Sequence, residues 1–91
     1  MSLTVYFTSV SSSLKIKKEQ DHIMSVLKSK KIPFNAVDIS QNPQDKELMR
    51  EIAGNPTALP PQICKGKKYC GDATGFQEAI EEEKLESFLN L

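Results

Sequence analysis

A strand, a helix and a second strand follow one another at the start of the chain, and this order restricts the fold more than any other feature. Residues 3–7 hold valine and two aromatic residues without glycine or proline, which favours a strand. Residues 33–39 alternate weakly between apolar and polar side chains, which indicates a second strand. Because a helix joins the two strands, we expect them to be parallel with a right-handed crossover.

The helix between these strands is predicted to run from about Ser13 to Lys31. Its apolar residues recur on one face, and lysines occupy the opposite face. Ser12 or Ser13 is expected to cap its first turn, since a serine hydroxyl can accept a hydrogen bond from a free N–H group. The expected inward residues are Ile16, Ile23, Met24, Val26 and Leu27.

A second helix is predicted to begin at Asn42 and Pro43, because asparagine caps free N–H groups and proline tolerates the first helical position. Gly54 is a typical helix stop. Residues 55–61, NPTALPP, are expected to form an ordered loop because their prolines exclude a helix. The expected inward residues of the second helix are Leu48, Met49, Ile52 and Ala53.

Residues 62–70, QICKGKKYC, are predicted to form a hairpin of strands three and four around Gly66. We expect Gly71 to end strand four. Thr74 and Gln77 match a capping box, which places the start of a third helix near Gly75. A short fourth helix closes the chain. The order is βαβαββαα, a single α/β domain over residues 1–91 with a four-stranded mixed sheet flanked by helices.

Charge and cysteine content exclude several classes of protein. Twelve basic and 12 acidic residues give a formal net charge of zero, so nothing favours nucleic acid or an anionic membrane as a partner. No apolar run approaches the roughly 20 residues that span a bilayer, and no signal-peptide pattern is present. Cys64 and Cys70 are too few and too close for a secreted disulfide framework. We expect a soluble cytoplasmic protein, with the nucleus as a second compartment.

Three segments, VDISQN, AGNPTALPPQI and YCGD, resemble those of the SH3-domain-binding glutamic-acid-rich-like family. The likeness runs from the first strand to the final helix, and it is greatest to the short, third-type members that lack the long acidic tail. The resemblance implies a glutaredoxin-type thioredoxin fold, a three-layer sandwich. It also implies a cis peptide bond between Pro60 and Pro61.

Glutaredoxins carry Cys-x-x-Cys at the start of the first helix, where the helix N-terminus lowers the thiol pKa. The resemblance places residues 9–13, SVSSS, at this position. A serine hydroxyl cannot exchange disulfides, and no cysteine precedes Cys64. We therefore expect that the protein is not an enzyme.

The resemblance implies a vestigial glutathione site. In glutaredoxins the residue before the cis proline pairs its N–H and C=O with the tripeptide backbone, and Pro60 has no N–H. The lost hydrogen bond is worth about 0.5–1.5 kcal/mol, so we expect weak glutathione binding or none, and no cofactor. The residues of this vestigial site are Ser11, Ser12, Ser13, Pro60, Pro61, Gly71, Asp72 and Thr74.

Several alternatives remain open at this point. The serine turn could cap the helix, bind an anion beside neighbouring lysines, or carry phosphorylation sites. Cys64 and Cys70 could be small buried residues or reactive thiols. The prolines could build the loop or bind SH3 domains, although their spacing is not Pro-x-x-Pro. His22 is expected on the surface, and no zinc-type spacing is present.

The predicted function is a small non-catalytic module that binds unidentified protein partners, with modulation of glutaredoxin activity implied by the resemblance. One alternative is an atypical monothiol redox or weak glutathione-binding protein that uses Cys70. A second alternative is an adaptor that presents its prolines to SH3 domains.

Overall fold

The computed structural model describes residues 2–91 and confirms the predicted order of elements. The strands are β1 (Leu3–Phe7), β2 (Phe34–Asp38), β3 (Gln62–Lys65) and β4 (Lys68–Asp72). The helices are α1 (Leu14–Ser29), α2 (Pro43–Ala53), α3 (Ala73–Glu81) and α4 (Leu85–Phe88). The molecule is an α/β sandwich in which helices cover both faces of one sheet.

The four strands form a mixed sheet in the order β2-β1-β3-β4. β1 and β2 are parallel, as the intervening helix α1 requires. β3 is antiparallel to β1, and the hairpin brings β4 antiparallel to β3 at the other edge. None of the helices in residues 2–91 has the length and apolar character of a bilayer-crossing segment.

Each face of the sheet has its own apolar core because successive side chains of a strand point to opposite faces. On one face, Leu3, Val5 and Ile63 pack against α1, α3 and α4. On the other face, Tyr6 and Cys64 pack against α2. Met49 is the buried residue of α2, whereas its neighbour Leu48, expected inward, is 41% exposed because α2 covers its sheet face with a narrow stripe.

Two predictions at the end of β4 were wrong. Gly71 does not end the strand, since β4 continues to Asp72. The cap of α3 is Asp72 rather than Thr74: its carboxylate accepts a hydrogen bond from the Gly75 N–H at 2.9 Å. A capping residue needs extended backbone, which Asp72 has as the last residue of a strand, whereas Thr74 already lies within α3.

Position 71 of β4 requires glycine because a ring from α4 lies where a side chain would be. Its φ is +151°, and an added Cβ would lie 2.6 Å from Cε1 of Phe88. A Cβ on Gly75 would lie 2.9 Å from the same atom. The Phe88 ring also makes an edge-to-face contact with Phe76, at 6.1 Å between centroids. The two glycines therefore admit the ring that anchors α4 to α3.

Candidate functional site

Several loops leave the sheet at the same end, next to the N-terminus of α1. Tyr6 pairs with Gln62, and Gln62 pairs with Asp72, so the turn after β1, the loop before β3 and the start of α3 are neighbours. β2 also ends here, because it is parallel to β1 and pairs Asp38 with Phe7. The surface called the loop face below consists of residues 8–13, 59–61 and 72–74.

The serine turn, residues 9–13, leads into α1 and ends at the N-cap, Ser13. Ser13 has extended backbone, and its hydroxyl accepts a hydrogen bond from the Ile16 N–H at 3.3 Å, which confirms the predicted cap. The Ser11 hydroxyl accepts from the Ser13 N–H at 3.1 Å. Ser12 is exposed, and Val10 is 77% exposed. The turn therefore presents hydroxyl groups and one apolar side chain at the position where glutaredoxins carry Cys-x-x-Cys.

A buried glutamine of α1 holds the beginning of this turn. Gln20 Oε1 accepts a hydrogen bond from the Thr8 N–H at 2.8 Å, and Gln20 Nε2 donates to the Thr8 carbonyl at 3.1 Å. Sequence reasoning missed this residue. The sequence did contain an indication of its role. Gln20 follows Ile16 by four positions, so this polar side chain lies on the same face of the helix as the apolar residues.

Asp38, at the end of β2, is a second residue that sequence reasoning missed. Its carboxylate accepts hydrogen bonds from the N–H and hydroxyl of Ser9, at 3.2 and 2.5 Å. It also accepts from the N–H and hydroxyl of Ser40, at 3.0 and 2.7 Å. The hydrogen bond from the Ser9 hydroxyl, followed by those from Ser40, holds the pKa of Asp38 well below its usual range. The sequence could have indicated this residue, because Asp38 lies at the end of a strand predicted to be parallel to β1, where functional side chains often lie.

The proline loop is fixed on both sides. The Pro60–Pro61 peptide bond is cis, and both prolines are buried. The side chain of Gln62 donates to the Leu59 carbonyl at 2.7 Å and accepts from the Tyr69 hydroxyl at 2.6 Å. Leu59 itself is 61% exposed. The loop thus presents one apolar side chain on a backbone that the sheet holds in place.

A groove of about 420 Å³ runs between the serine turn, the proline loop and the start of α3. Of the eight residues in the predicted vestigial site, it brings together Ser13, Pro60, Pro61, Asp72 and Thr74. Ser11 and Ser12 belong to the neighbouring turn but do not line the groove, and Gly71 contacts Phe88 instead. The groove also includes Lys15, Glu19, Asn55 and Thr57, which the prediction did not contain.

The two thiols lie away from the loop face and on opposite sides of the sheet. Cys64 is buried with Tyr6 in the core beneath α2, and burial raises the pKa of its thiol. Cys70 is half-buried against the other core and its sulfur accepts a hydrogen bond from Asn90 Nδ2 at 3.4 Å. Both are free thiols, and their positions on opposite faces keep them from pairing with each other.

His22 is exposed on α1, as predicted, and contacts Gln77 of α3 through a 2.9 Å hydrogen bond between side chains. Within residues 2–91, no three His, Cys, Asp or Glu side chains are grouped so as to hold a metal ion. The candidate site is therefore a polar groove with flanking apolar side chains.

Solved structures with this architecture define the class. The C. albicans actin interacting protein Aip5 matches with a TM-score of 0.79 at 17% identity, over 97% of this chain and 87% of that one. A buckwheat glutaredoxin–glutathione complex matches at 0.70 and 13%, over 97% and 76%. E. coli glutaredoxin matches at 0.62 and 21%, over 91% and 96%. The protein has a glutaredoxin-like thioredoxin fold.

A family model narrows this class. The model described as "SH3-binding, glutamic acid-rich protein" matches residues 1–91. The chain belongs to this family, as the three sequence segments indicated.

Proposed function

We propose that this protein is a non-catalytic glutaredoxin-like module that binds a protein partner through its loop face. The observation that carries the proposal is the composition of the serine turn. Its five residues lead into α1, its last residue Ser13 lines the groove with Pro60 and Pro61, and none of the five contains sulfur. A thiolate is the nucleophile of disulfide exchange, and a serine hydroxyl cannot replace it.

The two thiols elsewhere do not supply the missing chemistry. Cys64 is buried with a raised pKa, which opposes formation of the thiolate. Cys70 lies in a strand and is covered by the C-terminal segment through Asn90. Neither thiol lies at a helix N-terminus, so an atypical monothiol reaction is the less favoured function.

The loop face has the chemistry of a binding surface for protein. Val10 and Leu59 are large apolar side chains of the loop face that are mostly exposed, and Leu59 lines the polar groove. Apolar anchors with a polar surround are typical of protein interfaces. The similarity to a protein whose name describes it as actin-interacting supports a protein partner over a small molecule.

Glutathione is the less favoured ligand of the groove. Pro60 lacks the N–H that glutaredoxins use to pair with the tripeptide, and a thiol to form the mixed disulfide is absent from the turn. SH3 domains are also less favoured as partners of the proline loop. Pro60 and Pro61 are buried, so they cannot be presented as a polyproline helix.

The proposal includes a location, which is expected from the low cysteine content, and a role, which the family resemblance implies. We place the protein in the cytoplasm, with the nucleus as a second compartment, and we infer that it modulates glutaredoxin activity through protein contacts. It would do so by occupying the same partners as an active glutaredoxin, since the two share a fold.

The first experiment measures glutathione-dependent reduction of a small disulfide. The wild-type protein should give no rate above the blank, and NMR titration with reduced glutathione should leave the loop-face amides unshifted up to about 1 mM, a level at which only weak ligands still bind. Turnover, or saturable shifts at Ser13 and Thr74, would contradict the proposal.

The second experiment locates the partner surface. Proteins cross-linked to wild type in cell extract are compared with those cross-linked to Val10→Ser and Leu59→Ser. Both variants should lose the specific partners, whereas Leu48→Ser, an exposed apolar side chain on α2, should keep them. Equal losses in all three variants would exclude the loop face as the interface.

A further inference from the structure

A second groove lies between α1 and α3, on the side of the molecule rather than at its loop end. It has a volume of about 430 Å³, and most of its lining surface is carbon. It adjoins the loop-face groove, and the two share only Glu19, Ala73 and Thr74. The lining further includes Lys18, His22, Ile23, Gln77, Glu78 and Glu81.

The centre of this groove is held in one arrangement by contacts between its two helices. His22 of α1 is hydrogen-bonded to Gln77 of α3 at 2.9 Å, and its ring stands edge-to-face on Phe76 with 6.1 Å between centroids. Phe76 is fully buried, and so is Ile23. Since an ordered surface loses little entropy when a partner binds, this groove is prepared to receive an apolar side chain.

The rim of the groove is acidic although the whole chain is neutral. Three glutamates, Glu19, Glu78 and Glu81, face a single lysine, Lys18. Glu78 and Glu81 are both exposed to solvent. A cationic segment is therefore attracted to this edge of α3, and an anionic ligand is repelled.

We propose that the α1–α3 groove binds a basic segment of a partner protein, with one aliphatic side chain in the groove and flanking lysine or arginine residues against Glu78 and Glu81. The carbon lining selects the aliphatic side chain, and the acidic rim selects its neighbours. A metal ion fits less well, because these carboxylates are not grouped as metal ligands. This interface adjoins the loop face and shares Ala73 and Thr74 with it, but its acidic residues Glu78 and Glu81 lie outside the loop face.

The test uses a short acetylated and amidated peptide of alternating lysine and leucine as the probe. Titration followed by NMR should shift the amides of His22, Gln77 and Glu78, with a dissociation constant on the order of 100 µM. A peptide with serine in place of leucine should bind at least about 5-fold more weakly, since burial of each leucine side chain is favourable. A peptide with glutamate in place of lysine should not bind.

A charge variant with a matched control completes the test. Glu78→Gln with Glu81→Gln should weaken binding by about 5-fold, as expected for two exposed ion pairs. Glu47→Gln with Glu51→Gln, two exposed glutamates on α2, should leave binding unchanged. The proposal is overturned if the peptide shifts no groove amide, if serine replaces leucine without loss, or if both double variants weaken binding equally.

Discussion

The hydroxyl of Ser9 donates a 2.5 Å hydrogen bond to Oδ2 of Asp38, and this bond joins the turn after β1 to the end of β2. The backbone N–H of Ser9 donates to Oδ1 of the same carboxylate. The serine turn is thus held at its first residue by Asp38 and at its last by the cap of α1. Its shape depends on a residue more than 20 positions away in sequence.

We expect Asp38→Asn to destabilise the fold and to loosen the serine turn, because an amide accepts hydrogen bonds more weakly than a carboxylate and has only one acceptor oxygen. Thermal unfolding should show a Tm lower by a few degrees, and hydrogen exchange should show faster exchange at Ser9 and Ser40. Asp21→Asn, at an exposed position of α1, serves as the control and should leave both unchanged.

Acid should weaken the same contact. The pKa of Asp38 is lowered in the folded state by hydrogen bonds from Ser9 and Ser40, so the unfolded state binds more protons at this residue in acid. Its stabilising contribution is complete above the ordinary carboxylate pKa of about 4 and is lost as the pH falls below that value. Urea unfolding of wild type and Asp38→Asn at a series of pH values measures this. Parallel stability curves for the two proteins would refute the assignment.

Gly71→Ala should cost about 1–3 kcal/mol in the free energy of unfolding, because the new methyl group overlaps the Phe88 ring and the backbone has a positive φ. Gly54→Ala is the control, since Gly54 also has positive φ but no atom lies within 4 Å of an added Cβ. The Gly54 variant should lose less stability. Phe88→Ala should recover part of the loss in the Gly71 variant but none in the Gly54 variant, as judged by a double-mutant cycle.

Gln20→Met should lower the free energy of unfolding by about 1–3 kcal/mol, because methionine keeps the shape of glutamine but leaves the Thr8 N–H and carbonyl without their partner. Gln44→Met, at an exposed position of α2, should be neutral. Chemical denaturation measures both. If the two substitutions cost the same, the Gln20 hydrogen bonds do not support the turn.

Ser12→Cys should restore a reactive thiol at the start of α1. The residue is exposed beside a helix N-terminus, which lowers a thiol pKa below the roughly 8.5 of free cysteine. Thiol titration should show one fast-reacting group at neutral pH, while Cys64 reacts only on unfolding. Leu48→Cys, on an exposed face of α2, is the control for exposure alone. Equal rates at the two positions would show that the helix N-terminus has no effect.

The sequence alone determined the order of the helices and strands and much of the topology. Its helix caps at Ser13 and Asn42, the left-handed stop at Gly54 and the hairpin around Gly66 are local features, and the structure contains each of them. Local signals suffice there because the contacts are made within a few residues. The missing thiols of the serine turn are equally a property of sequence.

Only the tertiary structure decided which residues support the candidate site and which residue caps α3. Gln20 contacts Thr8 just before the serine turn, and Asp38 contacts Ser9 within it; in each contact the two residues are distant in sequence. Asp72 rather than Thr74 caps α3, because Asp72 is the last residue of β4 and has extended backbone. Position 71 requires glycine because Phe88, distant in sequence, occupies the space that a side chain would fill. These contacts join residues far apart in the chain, so no local spacing encodes them, and they form only when the sheet brings its loops to one end.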